Sequence, residues 1–469
     1  MQIPIVQPAP IVVEHSATFQ GLFENRCQFR HFQNYLTGLI VLDNKTMANI
    51  TRCILDSADK TNLSRFFSEA DWDVKAVNME RVAYLLQKTE KLRSSARKSV
   101  LPIDDTLFEH VGSLFEYIDK HYNHGNSTFP LAHNLVTSHY VSGAVRFPVG
   151  WRLYRRYEEF TQWETFVAKH FPDATIPKRK KERTKFKKEV EPTLLGDPEF
   201  LVLHEAFRTK ISLAVELVNE AIEQDLPFET VLFDSWYLAP ELVEVLTEYD
   251  KKWISILKIN RNISTNNLKI LDEEGERIQF ENPKIRVEDL IPLIPFSAFK
   301  LVEIDDQTYY CFSKNVHIPS LGKVRLVISF DNPDLEGTCA VLVTNHLSWG
   351  AKKIIQTYLL RWPIETFYQD AKQQLGLNQY RMRKAKAIEK HWCLVFVAYS
   401  FLHLDCLPAS RRHKVRKPIK TIGQVVRRQT RQLIESLLLH THELLDQGID
   451  VSQVFAQLFA KQDYTMSSP

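Results

Sequence analysis

The chain has 469 residues, 44% of them hydrophobic and 25% charged, with a formal net charge of +3. That is a globular composition with length for two or three domains. The six cysteines are scattered with no Cys-x-x-Cys pair, which argues against a disulfide framework or a Cys-rich zinc site.

Met1–His15 carries no basic segment and does not read as a signal peptide. From about Phe19 to Lys91 the apolar residues keep helical spacing; Phe32, Tyr35, Leu36, Leu39 and Ile40 fall on one helix face. A helical N-terminal domain over residues 1–95 is expected. The pattern changes at Ser99–Thr106, a short apolar run that ends on Asp104 and Asp105. Asn134–Val141 and Ala144–Leu153 are rich in β-branched and aromatic residues and predict two more strands. The Lys-rich, proline-flanked stretch Pro172–Pro192 predicts an exposed loop. A helix over Thr209–Gln224, a strand over Thr230–Phe233 ending at Asp234, a helix over Pro240–Tyr249 and a strand over Trp253–Leu257 follow.

From Asn260 to about Val343 the texture is β again. A long helix is then predicted from Ser348, a plausible N-cap, through Glu365 to about Leu375, with Gly376 ending it. Trp392–Leu404 is the longest apolar stretch, too short to span a bilayer. The C-terminal segment opens basic and becomes an amphipathic helix around Gln432–Leu445. The expected organisation is therefore 1–95 helical, 96–259 the first part of an α/β core, 260–344 a β-rich insertion, 345–406 the last core helices, and 407–469 a basic helical region. Lys and Arg cluster in Lys178–Lys188, Arg381–Lys390 and Arg411–Arg431, either a polyanion-binding face or ordinary solvated surface.

The most informative stretch runs from Tyr358 to Lys372. Tyr358, Arg361, Glu365 and Lys372 have offsets 0, 3, 7 and 14. On an ideal helix all four fall within roughly a 60° arc. An acid flanked by a phenol and two cations suits a metal-binding carboxylate beside groups that grip phosphate better than it suits a core stripe. Pro363 lies inside the span and predicts a kink or a restart. Asp104 and Asp234, each at a strand end, supply two further acids. His133 and His139 are weaker candidates for metal or phosphate contact. Trp236, Trp362 and Trp392 read as core residues, and Cys393 as packing.

These residues resemble a known family, the DDE-type insertion-sequence transposases with a Tyr–Arg–Glu–Lys signature. Asp104-Asp105-Thr106 is similar to the family's first element, and Phe233-Asp234 followed by Tyr237 to its second. Tyr358, Arg361, Glu365 and Lys372 match its third. The resemblance covers Ser99–Leu404 in order and approximate spacing. It implies a ribonuclease H-like mixed sheet flanked by helices, in the retroviral-integrase superfamily. It also implies cutting at transposon ends and joining to target DNA, with Asp104, Asp105, Asp234 and Glu365 as catalytic residues. Asp104, Asp234 and Glu365 would hold Mg²⁺, for which Mn²⁺ can substitute. Tyr358, Arg361 and Lys372 would contact DNA.

The implied partners are double-stranded DNA, both transposon terminal inverted repeats and target, and a second copy in a homodimer. No membrane is involved, and the location is cytoplasmic, nucleoid-associated in a bacterium. In some relatives a tryptophan of the insertion stacks on a flipped base, but Asn260–Ala340 contains none. Phe280, Phe296, Tyr309, Tyr310 or Phe312 could substitute, or the hairpin step is absent. Strand alternation sends Asp104 and Asp105 to opposite faces. An Ile-acid-Asp ending after Val100–Ile103 would make Asp105 the ligand, whereas the Asp-x-Thr reading, with Thr106 on the same face, favours Asp104. The rival readings are another ribonuclease H-like metal-dependent nuclease and a domesticated, non-catalytic DNA-binding relative.

Overall fold

The computed structural model describes residues 3–57, 59–123, 125–266, 268–408 and 420–463. The first part is helical: α1 (Pro10–Ser16), α2 (Arg26–Val41), α3 (Met47–Cys53), α4 (Lys60–Ser68) and α5 (Val74–Thr89). Asn25, Thr46, Asp59 and Asp73 each cap one of these helices by accepting a backbone N–H. The predicted stripe Phe32, Tyr35, Leu36, Leu39 and Ile40 is buried on α2.

The strands β1 (Val100–Glu109), β2 (Asp119–Lys120), β3 (Leu131–Ser142) and β4 (Val145–Tyr154) come next. A helical excursion, α6 (Tyr157–Thr161), α7 (Trp163–His170), α8 (Lys180–Leu194) and α9 (Pro198–Ala206), leads to α10 (Lys210–Glu223). Then β5 (Thr230–Phe233), α11 (Pro240–Glu248) and β6 (Lys252–Ile256) alternate. The β-rich segment holds β7 (Asn262–Ser264), β8 (Lys284–Arg286), a short α12 (Val287–Leu290), β9 (Lys300–Ile304), β10 (Gln307–Ile318), β11 (Gly322–Phe330) and β12 (Ala340–Thr344). The chain closes with α13 (Ala351–Leu359), α14 (Pro363–Gln374), α15 (Ala385–Cys406), α16 (Ile422–Asp446) and α17 (Val451–Asp463).

One ten-stranded sheet organises the molecule, in the order β2-β3-β1-β5-β6-β12-β11-β10-β9, with β4 also paired to β3. The β4-β3-β1 pairs are antiparallel and the β1-β5-β6 pairs parallel. This is the mixed, helix-flanked sheet of a ribonuclease H-like fold. The insertion is not a separate sheet throughout: β9 to β12 continue the main sheet beyond β6, and β7 and β8 form their own pair.

Helices cover both faces. On one, α14, α15 and α16 share a hydrophobic core with α1 to α5, through Phe108, Leu135 and Trp151 of the sheet. Arg81 of α5 is fully buried there. It donates to the carbonyls of Pro148 and Val149, to Asn78 and to Ser400 of α15. On the other face α10 and α11 pack with β3, β4 and the insertion.

Two sequence expectations fail here. Pro172–Pro192 is mostly the helix α8, not a loop. Its excursion has a small core of its own, made by Trp163, Phe166, Val167, Val190, Leu194 and Phe200. The long late helix begins at Ala351 with Gly350, not Ser348, at its N-cap. Its break at residues 360–362 and restart at Pro363 are what the proline predicts. Gly376 does follow its end, with φ +68°. Of the basic cluster Arg411–Arg431, residues 411–419 lie outside the described residues.

Candidate active site

β1 and β5 run parallel with Val100 opposite Thr230, Leu101 opposite Val231 and Pro102 opposite Leu232. Carried on by two residues, that register brings Asp104 level with Asp234 on neighbouring strands about 4.8 Å apart. Asp234 follows the end of β5 as expected, but Asp104 is not at a strand end, because pairing with β3 carries β1 on to Glu109. Asp234 ends β5 in a tight turn, its Oδ1 accepting the Trp236 N–H at 2.9 Å and its carbonyl the Ser255 hydroxyl at 3.1 Å.

The adjacent aspartates part company, as strand alternation requires. Asp104 and Thr106 face α14: the Arg361 guanidinium binds Asp104, and Lys372 Nζ donates to Thr106 Oγ1 at 2.8 Å. Asp105 faces α10, where Lys210 Nζ meets its Oδ2 at 2.7 Å and the Tyr237 hydroxyl donates to its Oδ1 at 2.8 Å. Burial pushes the Asp104 carboxyl up to about 7, and Asp105 and Asp234 add to the push while Arg361 opposes it.

The broken helix delivers the remaining groups. Pro363 sits at the first position of α14, where its missing N–H costs no hydrogen bond. Glu365 lies in that first turn, where the helix end favours negative charge. The link is tight: Arg361 and Trp362 N–H groups bond to the carbonyls three residues back, of Tyr358 and Leu359. Tyr358, Arg361, Glu365 and Lys372 therefore still converge. Arg361 spans Asp104 and Glu365, standing 3.6 Å from Glu365 Oε1. The Tyr358 hydroxyl reaches the Phe233 carbonyl at 3.5 Å, at the root of Asp234. Burial pushes its phenol up to about 12, and burial lowers the Lys372 ammonium.

Among the described residues, no three His, Cys, Asp or Glu side chains stand as a ready-made metal-ligand cluster. The donor chemistry of Asp104, Asp234 and Glu365 nonetheless fits a hard divalent cation. All three offer carboxylate oxygens. Burial is the main reason the Asp104 carboxyl is raised, with Asp105 and Asp234 adding to it, and a bound cation would oppose both effects as Arg361 does.

The other sequence candidates sort plainly. His133 is buried and structural, bonded to the Tyr380 hydroxyl at 2.7 Å and the Glu116 carbonyl at 2.9 Å. His139 is buried against Phe367 and Tyr368. Trp392 and Cys393 are core residues as expected. Trp236 and Trp362 are not: they are 56% and 68% exposed, because each lies in a turn at a site edge instead of on an element's inner face. In the insertion, Phe312 is buried and Phe296 exposed. Lys210 and Tyr368, whose hydroxyl pairs with Thr137 Oγ1 at 2.5 Å, were not singled out from sequence. Lys210 lies outside any motif and Tyr368, though inside the Tyr358–Lys372 stretch, is not one of its four matched residues; the fold brings them to β1 and β3.

A family model described as DDE superfamily endonuclease matches residues 18–266, more than half of the chain. The chain belongs to the DDE superfamily of endonucleases. A second model, described as Transposase DDE domain, matches residues 190–401 and so takes in Asp234 and Glu365. The two overlap across β5, and together they span the helical N-terminal part, the sheet and α15. No curated protein matches the chain. The superfamily generally uses divalent metals, and this DDE protein is of the transposase type. Among its described residues no helix is long and apolar enough to cross a membrane.

Proposed function

We propose that this protein is a DNA transposase that cuts at transposon ends and joins them to target DNA. One observation carries the reading: the β1–β5 register sets Asp104 beside Asp234, and Arg361 ties Asp104 to Glu365 across the helix break.

Asp104, Asp234 and Glu365 would hold Mg²⁺, or Mn²⁺ in its place, which when bound activates the attacking oxygen and offsets charge on the leaving one. The protein's own groups do the rest. Arg361 is released from Asp104 to a phosphate oxygen of the cleaved strand, a bidentate acceptor it matches in shape. Lys372, desolvated and fixed on Thr106, holds a second phosphate contact on the same side. Tyr358, with its proton held by burial, donates a hydrogen bond at the end of β5. Asp105 acts from the opposite face by anchoring Lys210 and Tyr237. Water attack would cut, and a 3′-hydroxyl in the same position would join, so one site serves both reactions.

The terminal repeats would be read by residues 1–95, with catalysis by 96–259 and 345–406. A homodimer would hold two ends, in the cytoplasm where the genome lies. The test is Glu365→Gln. It should abolish Mg²⁺-dependent cutting of a plasmid carrying the DNA that flanks the coding sequence, while binding to that DNA stays within a few-fold. A Glu365→Gln protein that still cuts overturns the assignment.

A further inference from the structure

Asp104 has a direct neighbour on the next strand. In the antiparallel β1–β3 pair it stands opposite Thr137, so both side chains lie on the face that α14 covers. Thr137 is fully buried, and the Tyr368 hydroxyl of α14 meets its Oγ1 at 2.5 Å. His139 Nε2 stands 3.2 Å from the same oxygen. Tyr368 and His139 are 5% and 2% exposed, so solvent does not compete for this hydroxyl pair. Burial holds the Tyr368 phenol well above its ordinary range, and the Asp104 charge adds to the shift, so the hydroxyl keeps its proton. The tie between α14 and β3 is therefore uncharged and closed to water.

Glu365 lies one turn before Tyr368 on α14, at the three-residue spacing that puts two side chains on one helix face. What holds Tyr368 against β3 also sets where Glu365 stands over β1. Arg361 and Lys372 tie the same region to β1 as well. Arg361 binds Asp104, and Lys372 Nζ donates to Thr106 Oγ1 at 2.8 Å and to the Leu107 carbonyl at 3.2 Å. Those ties are made by cations, for which a DNA phosphate competes. The Tyr368–Thr137 bond is neutral and buried, and an arriving phosphate finds nothing in it to compete for.

We propose that Tyr368 is a positioning residue for the metal site: its bond to Thr137 keeps Glu365 in place beside Asp104 once Arg361 and Lys372 have turned to phosphate. The inference rests on the reading of Asp104, Asp234 and Glu365 as metal ligands. Mn²⁺ binding, followed by electron paramagnetic resonance of the free ion, tests it without turnover. Tyr368→Phe removes one oxygen and keeps the ring. It should weaken Mn²⁺ binding by roughly tenfold or more, the scale on which groups behind metal ligands act. Thr137→Val should do the same, and the double variant should bind no more weakly than either single one, because all three lose one bond. Tyr380→Phe is the control. It breaks a similarly buried tyrosine bond, to His133, and should leave Mn²⁺ affinity as in the parent. In cutting assays Tyr368→Phe should need more Mg²⁺ for half-maximal rate and recover near the parent rate at saturation. A Tyr368→Phe protein that is folded by its melting temperature in EDTA and keeps the parent's Mn²⁺ affinity overturns the inference. So does an equal loss in Tyr380→Phe, which marks a general effect of packing, and so do losses that multiply in the double variant. If the parent binds Mn²⁺ no more tightly than Glu365→Gln does, the metal-ligand reading itself fails, and this inference with it.

Discussion

Replacing Asp104 by Asn should make the metal-free protein more stable at alkaline pH while destroying its activity. The Asp104 side chain is only 14% exposed, and burial raises its carboxyl from 3.8 to about 7 despite Arg361. The folded chain thus holds this proton more tightly than the unfolded chain does. The associated stability is full below about pH 4 and is lost as pH climbs to about 7. At about 1.4 kcal/mol per pH unit, the loss amounts to roughly 4 kcal/mol at most. Asn mimics the neutral acid at every pH. In EDTA, Asp104→Asn should therefore melt several degrees above the parent at pH 8, and the gap should close near pH 4. Asp105→Asn should behave oppositely, losing about 1–3 kcal/mol by stranding the Lys210 charge. In Mg²⁺, Asp104→Asn should be dead, and Asp105→Asn weakened but active. An Asp104→Asn protein that melts no higher than the parent at pH 8 refutes the idea that burial disfavours the Asp104 charge in the metal-free site. A dead Asp105→Asn beside an active Asp104→Asn moves the ligand to the other face of β1.

Three other outcomes are expected. Arg81→Ala should destabilise the fold by about 3–5 kcal/mol in urea titration, since it leaves a buried cavity and takes the partner from Asn78 Oδ1 and the Pro148 carbonyl. Neutralising Lys181, Lys185 and Lys188, which are exposed on α8, should flatten the salt dependence of DNA binding if that helix touches backbone. An unchanged slope makes α8 a solvated face. Arg183→Gln should instead lower the melting temperature with little effect on the slope, because Arg183 bonds Glu158 at 2.6 Å and packs over Trp163.

The sheet was legible where local pattern and tertiary role agree. Thr230–Phe233 is a wholly apolar run because β5 is buried on both faces between β1 and β6, so the strand and its terminal Asp234 were readable directly. Residues 172–192 misled because α8 draws its order from a few contacts. Arg183 and Lys187 serve Glu158, and Lys187 Nζ lies 4.0 Å from the Tyr157 ring. The other lysines look like a loop's. The exposure of Trp236 and Trp362 was hidden for a similar reason. Composition places tryptophan inside, and only the turns after β5 and α13 turn these two outward.

Pro363 best shows how the site depends on a feature that looks unfavourable in sequence. Read on an ideal helix, it threatens the alignment of Tyr358 and Arg361 with Glu365 and Lys372. In the fold it opens α14 at a position where proline is at no disadvantage, and it makes Glu365 a first-turn acid instead of a mid-helix one. The turn before it frees Arg361 to reach back to Asp104 while staying near Glu365. An unbroken helix would keep the four groups on one face, but it would give Glu365 no helix end. The break therefore complements the two aspartates: Asp234 follows the last residue of β5 and Glu365 lies in the first turn of α14, while Asp104 is held within β1 beside them. Arg361 can thus meet one carboxylate from the strand and one from the helix start, and its release would leave both open to a cation.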